Sequence, residues 1–197
     1  GPTQSRSPPF VPNDARVRPT AEHVRAALLD LVREHLAGAR VLDLFAGTGA
    51  LGLEALSRGA TSVDFVETRP SSLHALRANI ASLRVRERSR VFKRDALPFA
   101  AALEADRYDV AFADPPYGSR MLDRVIESWQ SRRFSRVLAV EHARGHDLPR
   151  GAHRRSFEES SVTVYVADRR DSSLLRGSES KGGPSAQHDG DAPCPER

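Results

Sequence analysis

The sequence predicts an α/β fold: a doubly wound, mostly parallel sheet that ends in an antiparallel hairpin. Short β runs and helical segments alternate between residues 40 and 141, which is typical of a parallel sheet covered by helices on both faces. A glycine-rich turn follows the first β run, and after residue 141 the alternation gives way to two β runs in succession. Such sheets bind ligands outside the carboxyl ends of their strands, so functional residues are expected there.

The elements are predicted from hydrophobic periodicity and from turn and capping residues. Thr20 is the predicted N-cap of a first helix that runs to about residue 37, and Gly38 suits the position after its end. Further helices are predicted over residues 50–57, 70–83, 98–105 and 119–131. Strands are predicted over residues 40–45, 62–67, 90–94, 108–113, 134–141, 154–157 and 162–167.

Composition indicates one globular domain, predicted over residues 18–170. A Pro- and Ser-rich arm (1–17) is expected to precede it, and a Gly/Ser/Pro-rich tail (171–197) to follow it, both without a core. No apolar run approaches the roughly 20 residues that span a bilayer, so no membrane association is expected. The single cysteine, Cys194, excludes a disulfide framework within the chain, and a cytoplasmic monomer is the default expectation.

The charge balance is compatible with a nucleic-acid partner. The chain has 30 Lys and Arg against 26 Asp and Glu, a formal net charge of +4, and almost all of the basic residues are arginine. A basic domain suits a phosphate-bearing partner, although an arginine-rich proteome would give the same count. The seven histidines lack metal-ligand spacing, so no metal site is expected.

The first candidate site is the turn after the first strand, where Gly47, Gly49 and Gly52 match the G-x-G-x-x-G pattern. Glycines allow a sharp turn and a close approach of ligand to backbone, and the following helix offers unpaired N–H groups. Glu67, 20 residues after Gly47, ends the next strand, where a carboxylate can accept hydrogen bonds from a ribose diol. This pattern alone also describes a dinucleotide site.

Asp43 favours S-adenosyl-L-methionine over a dinucleotide. Its carboxylate would repel a pyrophosphate but could hold a cationic amino acid group, directly or through water. The alternative is a carboxylate that only caps the turn. Asp95, after the third strand, could accept a hydrogen bond from an adenine amino group. The full set expected to bind the cofactor is Asp43, Phe45, Ala46, Gly47, Thr48, Gly49, Glu67, Thr68, Asp95 and Ala96.

The second candidate site follows the fourth strand and comprises Asp114, Pro115, Pro116 and Tyr117. The prolines fix the backbone, so the Asp114 carboxylate and the Pro115 carbonyl can accept both hydrogens of one –NH₂ group. The lone pair of that nitrogen then faces the methyl group, while Tyr117 stacks on the base. The alternative is a rigid turn with an exposed tyrosine.

Longer segments carry a family resemblance. They are Arg18-Pro19-Thr20 with the helix after it, residues 41–60, Phe65-Val66-Glu67, Asn79, Asp95 and Asp114–Tyr117. Between about residues 18 and 141 the chain resembles the RsmD-like family of small-subunit ribosomal RNA guanine-N2 methyltransferases. The resemblance implies a seven-stranded, Rossmann-like class I methyltransferase sheet and S-adenosyl-L-methionine as donor. It also implies that a guanine amino group in ribosomal RNA is the acceptor, within the small subunit or an assembly intermediate.

By position, the resemblance places Gly47 and Gly49 along the donor, Glu67 on its ribose and Asp95 at its adenine, with Asp114–Tyr117 gripping the base. Arg18 and Arg120 are the candidate RNA contacts. Other acceptors stay open, namely adenine-N6 in DNA or RNA and a glutamine amide in protein. A non-catalytic RNA-binding factor on the same scaffold and a nicotinamide oxidoreductase are further alternatives.

Overall fold

The computed structural model describes residues 22–168. The expectations for the arm, the tail, Thr20 and Arg18 fall outside the described residues. Within residues 22–168, no helix combines the length and apolar character that crossing a membrane requires.

Five α-helices and seven strands make up the described part of the chain. The helices are α1 (Glu22–Leu31), α2 (Ala50–Ser57), α3 (Pro70–Ser82), α4 (Ala96–Ala101) and α5 (Met121–Arg132), with 3-10 turns at Arg33–His35 and Arg86–Arg88. The strands are β1 (Arg40–Leu44), β2 (Ser62–Val66), β3 (Ser89–Phe92), β4 (Tyr108–Ala113), β5 (Ser135–Ala143), β6 (His153–Ser156) and β7 (Ser160–Val166).

The seven strands form one sheet in the order β3-β2-β1-β4-β5-β7-β6. Strands β1 to β5 are parallel, and β7 runs antiparallel between β5 and β6. The predicted doubly wound sheet and its final hairpin are thus confirmed. The chain moves outward from β1 to β3 and then returns to pair β4 with β1, so a crevice opens where β1 and β4 end.

Several element ends differ from the prediction, and strand pairing and a turn hydrogen bond account for two of them. β5 continues to Ala143 because β7 pairs with it as far as the Ala143–Ser160 partners. α5 begins at Met121, two residues later than expected, because Ser119 closes a turn by donating from Oγ to the Pro116 carbonyl at 2.8 Å. α4 begins earlier, at Ala96, directly after Asp95.

Each face of the sheet buries its own apolar cluster. One face packs side chains of α1, α2 and α3, Leu28 among them, against sheet residues that include Phe65 and Phe112. The other face packs α4 and α5, and it includes Trp129 and Phe134, both expected in the core and both buried. With apolar surface covered on both faces, the sheet is a rigid support for the loops at its strand ends.

Gly52 marks the closest approach of α2 to the sheet. A Cβ atom at this position would lie 2.5 Å from Cε1 of Phe65 and 2.7 Å from Cγ1 of Val63, both fully buried. These side chains sit in a packed layer between helix and strand, so they have little room to move. Glycine at residue 52 therefore lets the helix lie directly on β2.

We predict that Gly52→Ala lowers the free energy of unfolding by about 1–3 kcal/mol, because the added methyl overpacks the contact with Phe65. Chemical denaturation measures the change. Gly145→Ala is the matched control: a Cβ there meets nothing within 4 Å, so its effect should stay within about 0.5 kcal/mol. Equal stabilities for the two variants would contradict close packing at residue 52.

Candidate functional site

The loop between β1 and α2 turns through three residues with positive φ. Phe45 has φ 56°, Gly47 φ 57° and Gly49 φ 84°. The backbone N–H of Ala46 donates to the carbonyl of Val66 at 3.0 Å, which ties the loop to the end of β2. Two of the three positions are glycine, which adopts this conformation without strain, whereas Phe45 is held there by its surroundings. The glycine pattern is thus realised as a tight strand-to-helix turn.

Asp43 lies beneath this loop and is only 1% exposed. Its Oδ2 accepts a hydrogen bond from the backbone N–H of Gly52 at 3.0 Å. Burial raises the pKa of the Asp43 carboxyl well above its usual range; the Gly52 N–H opposes this shift, and the carboxylates of Asp114 and Glu67 reinforce it. The Gly52 contact is the one that the turn-capping alternative predicts. Glu67 and Asp114 follow directly after β2 and β4, the two strands that pair with β1, so all three acidic residues lie at the same edge of the sheet.

Glu67 joins the end of β2 to the glycine loop. Its Oε1 accepts from the N–H of Gly47 at 2.9 Å, and its Oε2 accepts from the N–H groups of Thr68 at 2.6 Å and Arg69 at 3.0 Å. Asn79, from the buried face of α3, donates from Nδ2 to the carbonyl of Thr48 at 3.0 Å. Side chains from two elements therefore hold the backbone of this loop. The supporting contact of Asn79 was not expected from residue type or spacing.

Asp95 stands farther along the same edge of the sheet. It is exposed at the cap position of α4, and its side chain makes no capping hydrogen bond to that helix. The following Ala96 is buried. The Asp95 carboxylate therefore has no role in starting the helix.

The second loop leaves the sheet next to the first. Leu44 and Ala113 are partners in the β1–β4 register, so Phe45 and Asp114 follow on adjacent strands. In this loop Pro115 is buried, Asp114 and Tyr117 are half-buried, and Pro116 is exposed. Arg120 is exposed just before α5. The structure therefore brings the two loops together, as expected, at the switch point of the sheet.

Glu141, on β5, is a site residue that sequence reasoning missed. It is 4% exposed, and its Oε1 accepts the hydroxyl hydrogen of Tyr117 at 3.1 Å. Residues of the second loop, α5 and the end of β5 line a small cavity, and they include Pro115, Tyr117, Glu141 and His146. One sequence signal was present: Glu141 is a charged residue that directly follows an apolar run, residues 137–140, within the same strand.

No group of three or more His, Cys, Asp or Glu side chains suited to a metal ion occurs among residues 22–168. The nearby histidines are engaged elsewhere: His142 contacts Oγ1 of Thr163 through Nε2 at 2.8 Å, and His146 contacts Oδ1 of Asp123 at 2.8 Å. Among the residues that line the cavity, Glu141 contributes the one carboxylate and Tyr117 an aromatic ring.

Asp43 gives a pH-dependent prediction. Its pKa in the folded chain lies above the ordinary value of 3.8, so at higher pH the unfolded chain loses this proton first and the folded state loses stability. Asp43→Asn removes this penalty and keeps an acceptor for Gly52. Its stability relative to the wild type should grow as pH rises above about 4, by at most about 1.4 kcal/mol per pH unit, until Asp43 ionises in the folded chain. Denaturation across pH measures this.

The control for that series is Asp30→Asn, for which the opposite sign is expected. A hydrogen bond from Arg58 lowers the pKa of Asp30, so its contribution is present above its ordinary value and is lost as pH falls. If the Asp43→Asn difference were independent of pH, burial would not raise the pKa of the Asp43 carboxyl as described above.

Comparisons with known proteins agree with this architecture. The family model described as Conserved hypothetical protein 95 matches residues 2–162. The Ribosomal RNA small subunit methyltransferase D of Escherichia coli (strain K12) is 35% identical over 162 residues, covering 81% of this chain and 81% of that protein. The protein of the same name from Haemophilus influenzae is 32% identical over 116 residues, covering 58% of this chain and 60% of that protein.

Solved structures show the same fold. The hypothetical protein TTHA0928 of Thermus thermophilus aligns with TM-score 0.68 at 29% identity, covering 82% of this chain and 94% of that one. A structure from Escherichia coli described as a candidate methyltransferase, yhhF, aligns with TM-score 0.68 at 27% identity, covering 79% and 90%. The chain therefore belongs to the RsmD-like methyltransferase family, and its sheet has the α/β class I methyltransferase fold.

Proposed function

We propose that this chain transfers a methyl group from S-adenosyl-L-methionine to the exocyclic N2 of a guanine in small-subunit ribosomal RNA. One observation carries the proposal: the glycine loop and the Asp-Pro-Pro-Tyr loop leave the adjacent strands β1 and β4 at the same edge of the sheet. A donor bound on the first loop and an amine gripped by the second would then be neighbours. Methyl transfer between them needs positioning above all.

The first loop suits a cationic donor. The acidic side chains of Glu67 and Asp114 interact electrostatically with the buried Asp43, and their negative charge lies where a pyrophosphate would be repelled. A Cβ at Gly47 would meet nothing within 4 Å, which leaves open space over the turn. S-Adenosyl-L-methionine carries an ammonium and a sulfonium and no phosphate, and when bound it supplies the electrophilic methyl group.

Within this loop, the backbone from Phe45 to Gly49 would line the donor, and Glu67 would accept hydrogen bonds from its ribose. When the donor binds, Glu67 would lose some of its hydrogen bonds from the loop N–H groups and would accept hydrogen bonds from the ribose hydroxyls instead. Thr68, Asp95 and Ala96 would surround the adenine, with Asp95 accepting from its amino group. The buried Asp43 would act on the ammonium through water or through its field, because its Oδ2 is already bonded to Gly52.

The second loop would orient the acceptor. The carboxylate of Asp114 and the carbonyl of Pro115 accept the two N2 hydrogens of guanine and hold the nitrogen lone pair toward the methyl group. Pro116 stiffens the loop, and Tyr117 stacks on the base. A base paired within a helix must be unstacked to enter such a site. Arg120, exposed beside this loop, is placed for an RNA phosphate, and Arg18 is proposed for the same role.

Ribosomal RNA is proposed as substrate because relatives are named for small-subunit ribosomal RNA methylation and because the chain is basic. Reaction in the cytoplasm, on the small subunit or an assembly intermediate, follows from that substrate. Methylation of adenine-N6 or of a glutamine amide would use the same loop. A dinucleotide enzyme is disfavoured by the three carboxylates, and a non-catalytic scaffold would have no use for them.

The substrate assignment is tested by supplying radiolabelled donor with naked ribosomal RNA, 30S particles, 50S particles, DNA and protein in parallel. Label should enter small-subunit RNA, and nucleoside analysis should identify N2-methylguanosine. Label recovered as N6-methyladenosine or in protein glutamine would overturn the guanine assignment, whereas the absence of transfer to any substrate would support the scaffold alternative.

We predict that Asp114→Ala lowers methyl transfer by about 100-fold or more while binding of S-adenosylhomocysteine is largely retained, because Asp114 grips the acceptor rather than the donor. Asp109→Asn is the control, since Asp109 lies at the start of β4, at the far end from Asp114, and accepts hydrogen bonds from Arg40. Its methyl transfer should match the wild type. Parallel loss of donor binding and transfer in Asp114→Ala would contradict the assigned role.

A further inference from the structure

Glu141 lies next to Asp114 and Pro115, the two residues proposed to hold the acceptor amine. Ala113 and Val140 are partners in the β4–β5 register, so Asp114 and Glu141 follow side by side on adjacent parallel strands. Pro115, Pro116 and Tyr117, which follow Asp114 in that loop, line the small cavity between β5 and the start of α5, and so does Glu141. A base whose amine is held by Asp114 would therefore bring its neighbouring ring atoms close to Glu141.

One oxygen of Glu141 is buried without a partner. Oε1 accepts from the hydroxyl of Tyr117 at 3.1 Å, whereas Oε2 is buried and has no hydrogen-bond partner within the described part of the chain. The lining histidines do not supply one: His142 is bonded to Thr163 and to the Ala143 carbonyl, and His146 to Asp123. Burying an unsatisfied carboxylate oxygen is costly, so a donor from a ligand is the natural complement.

The atoms beside the exocyclic amine differ among the nucleobases. Guanine has an N–H donor at N1 next to its 2-amino group. Adenine has a lone pair at N1 next to its 6-amino group, and cytosine has one at N3 next to its 4-amino group. A carboxylate oxygen beside the held amine would accept a hydrogen bond from N1–H of guanine, but it would repel the lone pair at N1 of adenine or N3 of cytosine.

We propose that Glu141 is a specificity-determining residue that selects guanine. Its Oε2 accepts N1–H while Asp114 and Pro115 hold the N2 hydrogens, and its Oε1 keeps Tyr117 in place for stacking. This inference rests on the proposed guanine-N2 activity and adds the reason why guanine is chosen. The donor site is not involved, because Glu141 lies beyond β4 from the glycine loop.

The test uses RNA in which the guanine identified by nucleoside mapping is replaced by 2-aminopurine, which keeps the 2-amino group but has a lone pair at N1. The kcat/KM of the wild-type protein should be at least about ten-fold higher for guanine than for 2-aminopurine. Glu141→Gln should abolish or reverse that preference, because its amide oxygen can still accept from Tyr117 while its –NH₂ donates to N1. The intrinsic difference in reactivity between the two bases cancels when the guanine to 2-aminopurine ratio of kcat/KM is compared between the wild type and the variant.

Tyr117→Phe is the control, since it removes the hydrogen bond to Glu141 but keeps the ring. It should slow both bases alike and leave the wild-type preference unchanged, and S-adenosylhomocysteine binding should be the same in all three proteins. An unchanged preference in Glu141→Gln, or the same change of preference in Tyr117→Phe, would overturn the selective role. The methylated nucleoside made by the wild type tests the proposed function separately, because it does not depend on either variant.

Discussion

The hydrogen bond from the Gly52 N–H to the buried carboxylate of Asp43 fixes the geometry on which the candidate site depends. It joins the end of β1 to the first turn of α2 across a loop with three left-handed residues. Because residue 52 has no side chain, α2 rests directly on Phe65, and this close packing holds the donor N–H near Asp43. Burial of the carboxylate, the position of the helix and the shape of the loop are therefore one interdependent arrangement.

Parallel pairing then places the remaining groups. Because β2, β1, β4 and β5 all run the same way, the residues that follow each strand meet at one edge of the sheet. Glu67, the glycine loop, Asp114 and Glu141 are contributed by these four strands in that order across the sheet. Negative charge concentrated on a rigid edge suits both a cationic donor and an amine acceptor.

Local chemistry made most of the fold and both loops predictable from the sequence. Glycine and proline mark the turns, and the acidic residues at strand ends identify the expected site. Contacts between segments distant in sequence were not predictable. The buried Asp64 accepts from the exposed Arg90 at 2.8 and 2.7 Å and from Tyr108 at 2.7 Å, and the spacing of these residues in the sequence does not indicate either contact. The contacts of Asn79 and Glu141 likewise depend on how helices and strands pack.

Calorimetric titration with S-adenosylhomocysteine and, separately, with a nicotinamide dinucleotide tests most directly whether the glycine loop is a methyl-donor site. Three carboxylates around an open turn should give saturable binding of S-adenosylhomocysteine, weakened in Glu67→Gln, and no binding of the dinucleotide. Binding of the dinucleotide without binding of S-adenosylhomocysteine would contradict the proposed methyl-donor site and, with it, the adjacency of donor and amine at the edge of the sheet.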